Sequence, residues 1–337
     1  MSKFQNLVHP KLYKLVINTP LQHACNLSKK LNNNIYLKRE DLQSVFSFKI
    51  RGAFNKILSL HDQGLLLNKN EKFIKGSIKR PIYTCSAGNH AQGVALSAKY
   101  LGIRANIIMS KKTSKIKINN VKSLEGNVIL HGKNYEEAQE KCFKLAKKNN
   151  GIIIHPFDDK HIIAGQGTIS KEILKSLKKI DYIFCPIGGG GLIAGISTYI
   201  KAIKPSIKII GVESKNANAM QKSIEEKKII SLKKVDQFTE GTAVKKVGKL
   251  TFKLCKENID EIVIVNKEEI CLAIKSLFEE NRSMVEPCGA MCLAGIKKYL
   301  LNNNKIKNKN LVGIVSGANM DFKKLRYIVD KTNDILN

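Results

Sequence analysis

Ser47-Phe48-Lys49-Ile50-Arg51-Gly52 sets a lysine between an aromatic and an aliphatic residue. Ammonium groups are expensive to desolvate. A lysine in such company has its pKa lowered, which keeps part of the amine neutral and nucleophilic. A neutral amine can condense with an aldehyde to a Schiff base. The competing reading is a surface lysine at a helix start, with Ser47 as the N-cap. In a chain this rich in lysine the hexapeptide alone favours that plainer reading. Two further stretches, each a backbone loop suited to an anion, reverse the weighting.

Outward from the hexapeptide, residues 35–38 read as a strand, and 53–58 continue the helix that the hexapeptide opens. Residues 61–80 are polar and lysine-rich, with Gly64 and Gly76, and read as a surface excursion. Strand patterns then occur at 81–85, 105–109, 128–130 and 152–154, separated by helical patterns at 90–101, 115–124 and 135–148. A second series has strands at 182–185, 207–212, 262–265 and 312–315, with helices at 167–177, to about 203, and at 217–227, 268–280 and 289–300. This alternation predicts an α/β fold of two lobes, each with a mainly parallel sheet flanked by helices. A small lobe at 53–154 is expected as an insertion in a large lobe formed by 1–52 and 155–337.

The second stretch is Ser86-Ala87-Gly88-Asn89-His90, between a strand and a helix. Its small residues admit close approach of a ligand, and the helix start offers free N–H groups. A substrate carboxylate suits it. Asn89 can donate and accept. His90 could act as a base, although packing is the commoner fate of a histidine in a first helical turn.

The third stretch is Gly188-Gly189-Gly190-Gly191-Leu192, again between strand and helix. Four consecutive glycines are entropically costly, and a nest of N–H groups around a phosphate explains them. The same loop carries a rival reading. Gly189, Gly191 and Ala194 match a dinucleotide fingerprint, with Glu213 ending the next strand. That reading makes the chain a nicotinamide-dependent oxidoreductase and leaves Lys49 and Asn89 without roles. A fourth stretch, Ser316-Gly317-Ala318-Asn319, follows the last strand, where a hydroxyl faces the usual ligand crevice.

Composition narrows the partners. The chain has 337 residues, about two domains' worth, with 43% hydrophobic and 26% charged residues. No run of about 18 apolar residues exists to span a membrane, and the N-terminus shows no signal or transit pattern. A cytoplasmic protein is expected. The formal net charge of +30 invites a nucleic-acid reading. Of 58 basic residues, however, only six are arginine, and the lysines are spread over nearly every segment. There is no Trp and aromatics make up 6%, so stacking platforms are poor. An A·T-biased coding sequence accounts better for a chain rich in Lys, Asn and Ile. The eight cysteines show no CxxC pair and suit a reducing compartment. Cys288 and Cys292, one helical turn apart, read as packing.

Taken together and in order, these stretches resemble the fold-type II pyridoxal-phosphate enzymes, whose fold is like that of the tryptophan synthase β subunit. Within them the chain is most similar to the biosynthetic threonine dehydratases (threonine ammonia-lyases). The resemblance runs from about residue 12 to 330. Besides the four stretches it rests on Leu37-Lys38-Arg39-Glu40-Asp41, Phe157-Asp158-Asp159, Ile163-Ala164-Gly165-Gln166-Gly167-Thr168, Glu240-Gly241 and Glu286-Pro287. It implies that Lys49 binds pyridoxal 5'-phosphate covalently and takes the substrate's α-proton. It further implies that Phe48 packs on the pyridine ring, Asn89 bonds the 3-hydroxyl, Gly188 to Leu192 hold the phosphate and Ser316 meets the ring nitrogen. Ser86, Ala87, Gly88, Asn89 and His90 are then the substrate-binding residues. L-Threonine, or L-serine, is the implied substrate, with 2-oxobutanoate and ammonia as products of threonine on the route to isoleucine. A homotetramer is the implied assembly.

Three departures qualify the resemblance. Ala87 stands where related serine racemases carry a second serine, which argues against racemisation. Ala217, Asn218 and Ala219 follow Glu213 where metal-binding relatives carry a carboxylate, so no Mg²⁺ or Ca²⁺ site is expected. The segment 61–80 is about a dozen residues longer than the family needs. The match runs almost to Asn337, so the isoleucine-binding regulatory domain common in these dehydratases is expected to be missing, and with it inhibition by isoleucine.

Overall fold

A computed structural model describes residues 4–72 and 79–336. Its strands are β1 (Leu21–His23), β2 (Asn34–Arg39), β3 (Ile82–Cys85), β4 (Ala105–Met109), β5 (Asn127–Leu130), β6 (Ile152–Ile153), β7 (Tyr182–Pro186), β8 (Lys208–Ser214), β9 (Glu261–Val265) and β10 (Asn310–Val315). They form a six-stranded sheet in the order β1-β2-β10-β7-β8-β9 and a four-stranded sheet in the order β5-β4-β3-β6. Every pairing is parallel except that of β1 with β2. The helices are α1 (Cys25–Leu31), α2 (Lys49–Asp62), α3 (Asn89–Tyr100), α4 (Lys115–Ser123), α5 (Tyr135–Lys148), α6 (Lys160–Ser176), α7 (Gly191–Ile203), α8 (Ala219–Glu225), α9 (Lys249–Asn258), α10 (Lys267–Asn281), α11 (Pro287–Asn302) and α12 (Lys323–Leu336).

The large sheet is buried on both faces, which is why β7 and β10 are apolar throughout rather than alternating. Side chains still alternate across the sheet. Phe184 packs with Ile35, Leu37 and helices α10 and α11 on one face. Ile183 and Cys185 pack with Val312, Ile314 and helices α6, α7 and α9 on the other.

Helix α6 begins at Lys160, seven residues before the expected start at 167. Asp159 caps it, its Oδ1 accepting from the N–H groups of His161 and Ile162 at 2.8 and 3.2 Å. Gly165 and Gly167 are where helices cross. A Cβ at Gly165 would lie 2.6 Å from the Arg51 carbonyl oxygen, so α2 and α6 touch backbone to backbone.

Part of the expected surface excursion at 61–80 is buried, because Leu66 and Leu67 are 5% and 2% exposed and Leu66 joins the core under α2 and α3. Residues 73–78 of that segment lie outside the described residues.

Beneath α2 lies a buried ionic cluster. Arg51 spans Glu40 (Nε to Oε2, 2.7 Å) and Glu172 (Nη1 to Oε1, 2.6 Å), and Lys38 reaches Glu172 at 2.5 Å. Thr19 donates to Glu40 at 2.5 Å and Tyr13 to Glu172 at 2.8 Å. Burial works against the charge on Glu40, but the Arg51 guanidinium outweighs it and holds the carboxyl below its usual range. The cluster ties β2, α2 and α6 together two residues from Lys49.

Candidate active site

In parallel sheets, ligands bind beyond the carboxyl ends of the strands. Strands β2, β10 and β7 are neighbours. The chain leaving β2 leads to Lys49, that leaving β10 starts with Ser316, and that leaving β7 enters the glycine loop. The segments after β2 and β10 are laced together. Phe48 N–H donates to the Ser316 carbonyl at 3.2 Å, and Ser47 pairs with Gly317. In the small sheet the chain leaving β3 enters Ser86 to Asn89, so both sheets point the same kind of end at one crevice.

Lys49 is the first residue of α2, and Phe48, not Ser47, occupies the N-cap position. The Ser47 hydroxyl is buried without a hydrogen-bond partner. Lys49 Nζ donates to the Pro156 carbonyl at 2.9 Å and lies 5.2 Å from the centre of the Phe48 ring. Burial lowers its pKa from 10.5 to about 8, partly opposed by Cys288 and Glu286 nearby. The expected depressed amine is therefore present.

Pro156 belongs to a tight turn. His155 Nδ1 accepts from the N–H groups of Phe157 and Asp158 at 3.2 and 2.7 Å. Phe157 then lies against the glycine loop, since a Cβ at Gly189 would sit 2.2 Å from its ring. Asp158 caps α9, accepting from Lys249, Leu250 and Thr251 at 2.9–3.1 Å. The turn thus links the lysine to the loop, and gives Phe157-Asp158-Asp159 a physical role.

Gly190 has φ +93°, a conformation that only glycine adopts without strain. Thr251 Oγ1 donates to the Gly189 carbonyl at 2.7 Å and anchors the loop. Among the described residues, no acceptor takes the N–H groups of Gly188, Gly189, Gly190, Gly191 or Leu192. Orphaned N–H groups in largely buried residues are rare and call for a partner. Here they crowd the positive end of a 13-residue helix. The donor set fits a phosphate.

The Ser86 loop borders open space, as a Cβ at Gly88 would meet nothing within 4 Å. Ser86 Oγ accepts from Gly88 N–H at 3.2 Å. Ala87 and Gly88 are half-buried beside it. His90 points elsewhere. Its Nε2 pairs with the Ile154 carbonyl at 3.0 Å, and burial lowers its pKa to about 3. It is a neutral packing residue, not a base. Asn89 Nδ2 donates to Glu286 Oε1 at 2.7 Å, and Asn89 Oδ1 accepts from Asn319 Nδ2 at 2.7 Å. Ser316 is buried and donates to the Cys288 carbonyl at 3.2 Å.

Glu286, Cys288, Pro156 and Asn319 also border this crevice, and residue reasoning gave none of them a function. Two had signals. Glu286 precedes a proline that starts a helix, and Asn319 lies three residues past Ser316. Cys288 lies in the buried core, as the packing reading expects, with the Glu286 carboxyl nearby.

A family model described as pyridoxal-phosphate dependent enzyme matches residues 12–317. The chain belongs to that family. It is 51% identical over 330 residues to the mitochondrial threonine dehydratase of Schizosaccharomyces pombe, covering 97% of this chain and 53% of that protein. It thus spans about half the length of that relative. Among solved structures, the processed form of threonine deaminase isoform 2 from Solanum lycopersicum superposes with a TM-score of 0.89 at 45% identity, covering 95% of this chain and 89% of the other. Maize serine racemase gives a TM-score of 0.87 at 31% identity, covering 99% and 98%. The fold is that of these fold-type II enzymes.

The nicotinamide reading is not supported. Its Glu213 is fully buried, and its two oxygens accept from Met220 and Gln221 N–H at 2.9 and 2.7 Å, capping α8. No carboxylate oxygen is left exposed for a ribose. Among the described residues no helix is long and apolar enough to cross a membrane.

Proposed function

We propose that the chain deaminates L-threonine to 2-oxobutanoate and ammonia with pyridoxal phosphate, at the crevice between Lys49, the Ser86 loop and the glycine loop. One observation carries the site: a depressed lysine amine linked through Pro156 and Phe157 to a loop of unpartnered N–H groups. The identity to threonine dehydratases supports the substrate, with L-serine as a second candidate. The reading also includes a homotetramer, a cytoplasmic location and a small lobe at 53–154 that carries the four-stranded sheet.

The residues divide the work. Gly188 to Leu192 and the start of α7 hold the phosphate, and Phe48 flanks the ring. Ser316 offers the ring nitrogen a neutral hydroxyl, and Asn89 offers the ring oxygen a donor. The N–H groups of Asn89 and His90, without an acceptor among the described residues, receive the substrate carboxylate together with Ser86. When bound, pyridoxal phosphate supplies an aldehyde for amine exchange and a conjugated ring that takes up the electron pair left by the α-proton. The Lys49 amine accepts that proton. Its contact with the Pro156 carbonyl fixes its direction, and its lowered pKa keeps a useful fraction neutral near pH 8. Loss of the β-hydroxyl and hydrolysis of the released enamine complete the reaction.

Reduction with borohydride tests the cofactor assignment. A visible absorption band of the loaded protein should vanish, and peptide mapping should find the pyridoxyl group on Lys49. A label on another lysine would refute the site. The pKa adds a second expectation. Condensation of the apo-protein with pyridoxal phosphate should accelerate about tenfold per pH unit below 8 and level off above it, as the neutral amine fraction does. A rate independent of pH from 6 to 9 would count against a depressed Lys49.

Ala87→Ser is expected to add serine racemase activity, by restoring the hydroxyl that related racemases carry. Chiral analysis of recovered serine decides it. No D-serine above the parent's level would contradict the role given to position 87.

A further inference from the structure

Asn89 has two N–H donors and two acceptor lone pairs. Glu286 takes one donor, and Asn319 fills one acceptor, each at 2.7 Å. Asn319 Nδ2 also donates to the Val45 carbonyl at 2.8 Å, so it serves only as a donor in this cluster. Turning the Asn89 amide over would set its oxygen against the Glu286 carboxyl and its NH₂ against that of Asn319. Both contacts would be lost together, so the cluster admits one orientation.

Glu286 is itself confined. It occupies the N-cap position of α11 without a side-chain capping bond, and its carboxyl faces Gly317, where a Cβ would lie 2.5 Å from Oε1. The Cys288 thiol lies near the same carboxyl and helps to lower its pKa. Gly241 closes over that thiol, since a Cβ there would sit 2.7 Å from Sγ. The glycine at 317 thus leaves room for the carboxyl that meets Asn89, and the glycine at 241 leaves room for the thiol. Burial raises the Glu286 pKa to about 7, while Asn89 and Cys288 pull it down. Lys49, Glu240 and Lys117 are the other charged groups that act on it.

We propose that Glu286 and Asn319 are positioning residues that lock the Asn89 amide in one orientation, leaving one N–H and one lone pair of Asn89 for the cofactor. The proposal rests on the reading that Asn89 meets pyridoxal phosphate. It predicts that Glu286 and Asn319 act only through Asn89.

A double-mutant cycle on the affinity of the apo-protein for pyridoxal phosphate tests this. Glu286→Ala should weaken binding about ten- to a hundredfold, the range for a lost hydrogen bond to a charged group, and should shift the visible band of the loaded protein. In an Asn89→Ala background the same change should alter affinity less than about twofold. Glu286→Gln keeps an acceptor for Asn89 and should restore affinity to within about threefold. Asn319→Ala enters the same cycle from the other side, and decides the matter if Glu286→Ala does not fold. Equal effects in both backgrounds, or no rescue by Glu286→Gln, would overturn the positioning role. Failure of the unmutated protein to take up pyridoxal phosphate would instead overturn the cofactor assignment, and this proposal with it.

Discussion

Lys49→Ala is expected to give a folded protein that holds pyridoxal phosphate only non-covalently and turns over threonine at least about 10⁴-fold more slowly. The size of the effect follows from two duties on one amine, covalent attachment and proton transfer. Folding should survive. Among the described residues the amine makes a single hydrogen bond, to the Pro156 carbonyl, and alanine is a good helix former. Circular dichroism and phosphate-dependent cofactor binding should therefore look normal while the borohydride-sensitive band is lost. Near-parental turnover in this variant would mean that another group is the base.

Arg51→Ala should fail in the opposite way, through stability. Removing the guanidinium strands Glu40 and Glu172, 0% and 4% exposed, with Lys38 as the nearest remaining cation. Breaking a buried pair by deleting one partner costs about 3–5 kcal/mol, a large share of the roughly 5–15 kcal/mol that holds a domain together. Thermal unfolding should fall by roughly 4–7 °C, with poor soluble yield. Arg51→Lys should rescue little, because one ammonium cannot reproduce a fork that bonds two carboxylates at once. A variant as stable as the parent would show that the cluster is dispensable.

How much of this was legible in the sequence depends on range. Strands buried on both faces and helices with a strong apolar face announce themselves locally, so β4 and α5 match their expected bounds of 105–109 and 135–148. The loops at strand ends were legible for a related reason. Glycine runs and a lysine between apolar residues have few structural uses. Helices α9 and α12 are not among the expected elements, although the apolar spacing is there. Thr251, Leu254 and Cys255 in α9 recur at helical intervals, as do Leu325, Ile328 and Thr332 in α12. The first two turns of α6 lie before the expected start at 167, and a crossing glycine and a helix-ending glycine look alike until the partner helix is known.

Pairings between distant residues were the least legible. Asn89 and Glu286 are 197 positions apart, and Arg51 and Glu172 are 121 apart. No local pattern assigns such partners. Lys38-Arg39-Glu40-Asp41 could be recognised as a family motif, but its role emerged only from the fold. Lys38 and Glu40 belong to the Arg51 cluster. Arg39 pairs with Asp41 at 2.6 Å. Cys288 packs in the buried core, as its spacing from Cys292 suggests, but its neighbour Glu286 is set by the fold. A thiol one turn from another thiol suggests packing, and only the carboxyl facing it reveals a polar neighbour.

Threonine deamination is tested by mixing the protein, loaded with pyridoxal phosphate, with L-threonine and following 2-oxobutanoate and ammonia together. Equimolar release of both, abolished when the cofactor is removed and unaffected by nicotinamide nucleotides, is the expected result. No 2-oxo acid from threonine or from serine, or a reaction that proceeds only with a nicotinamide nucleotide, would contradict it.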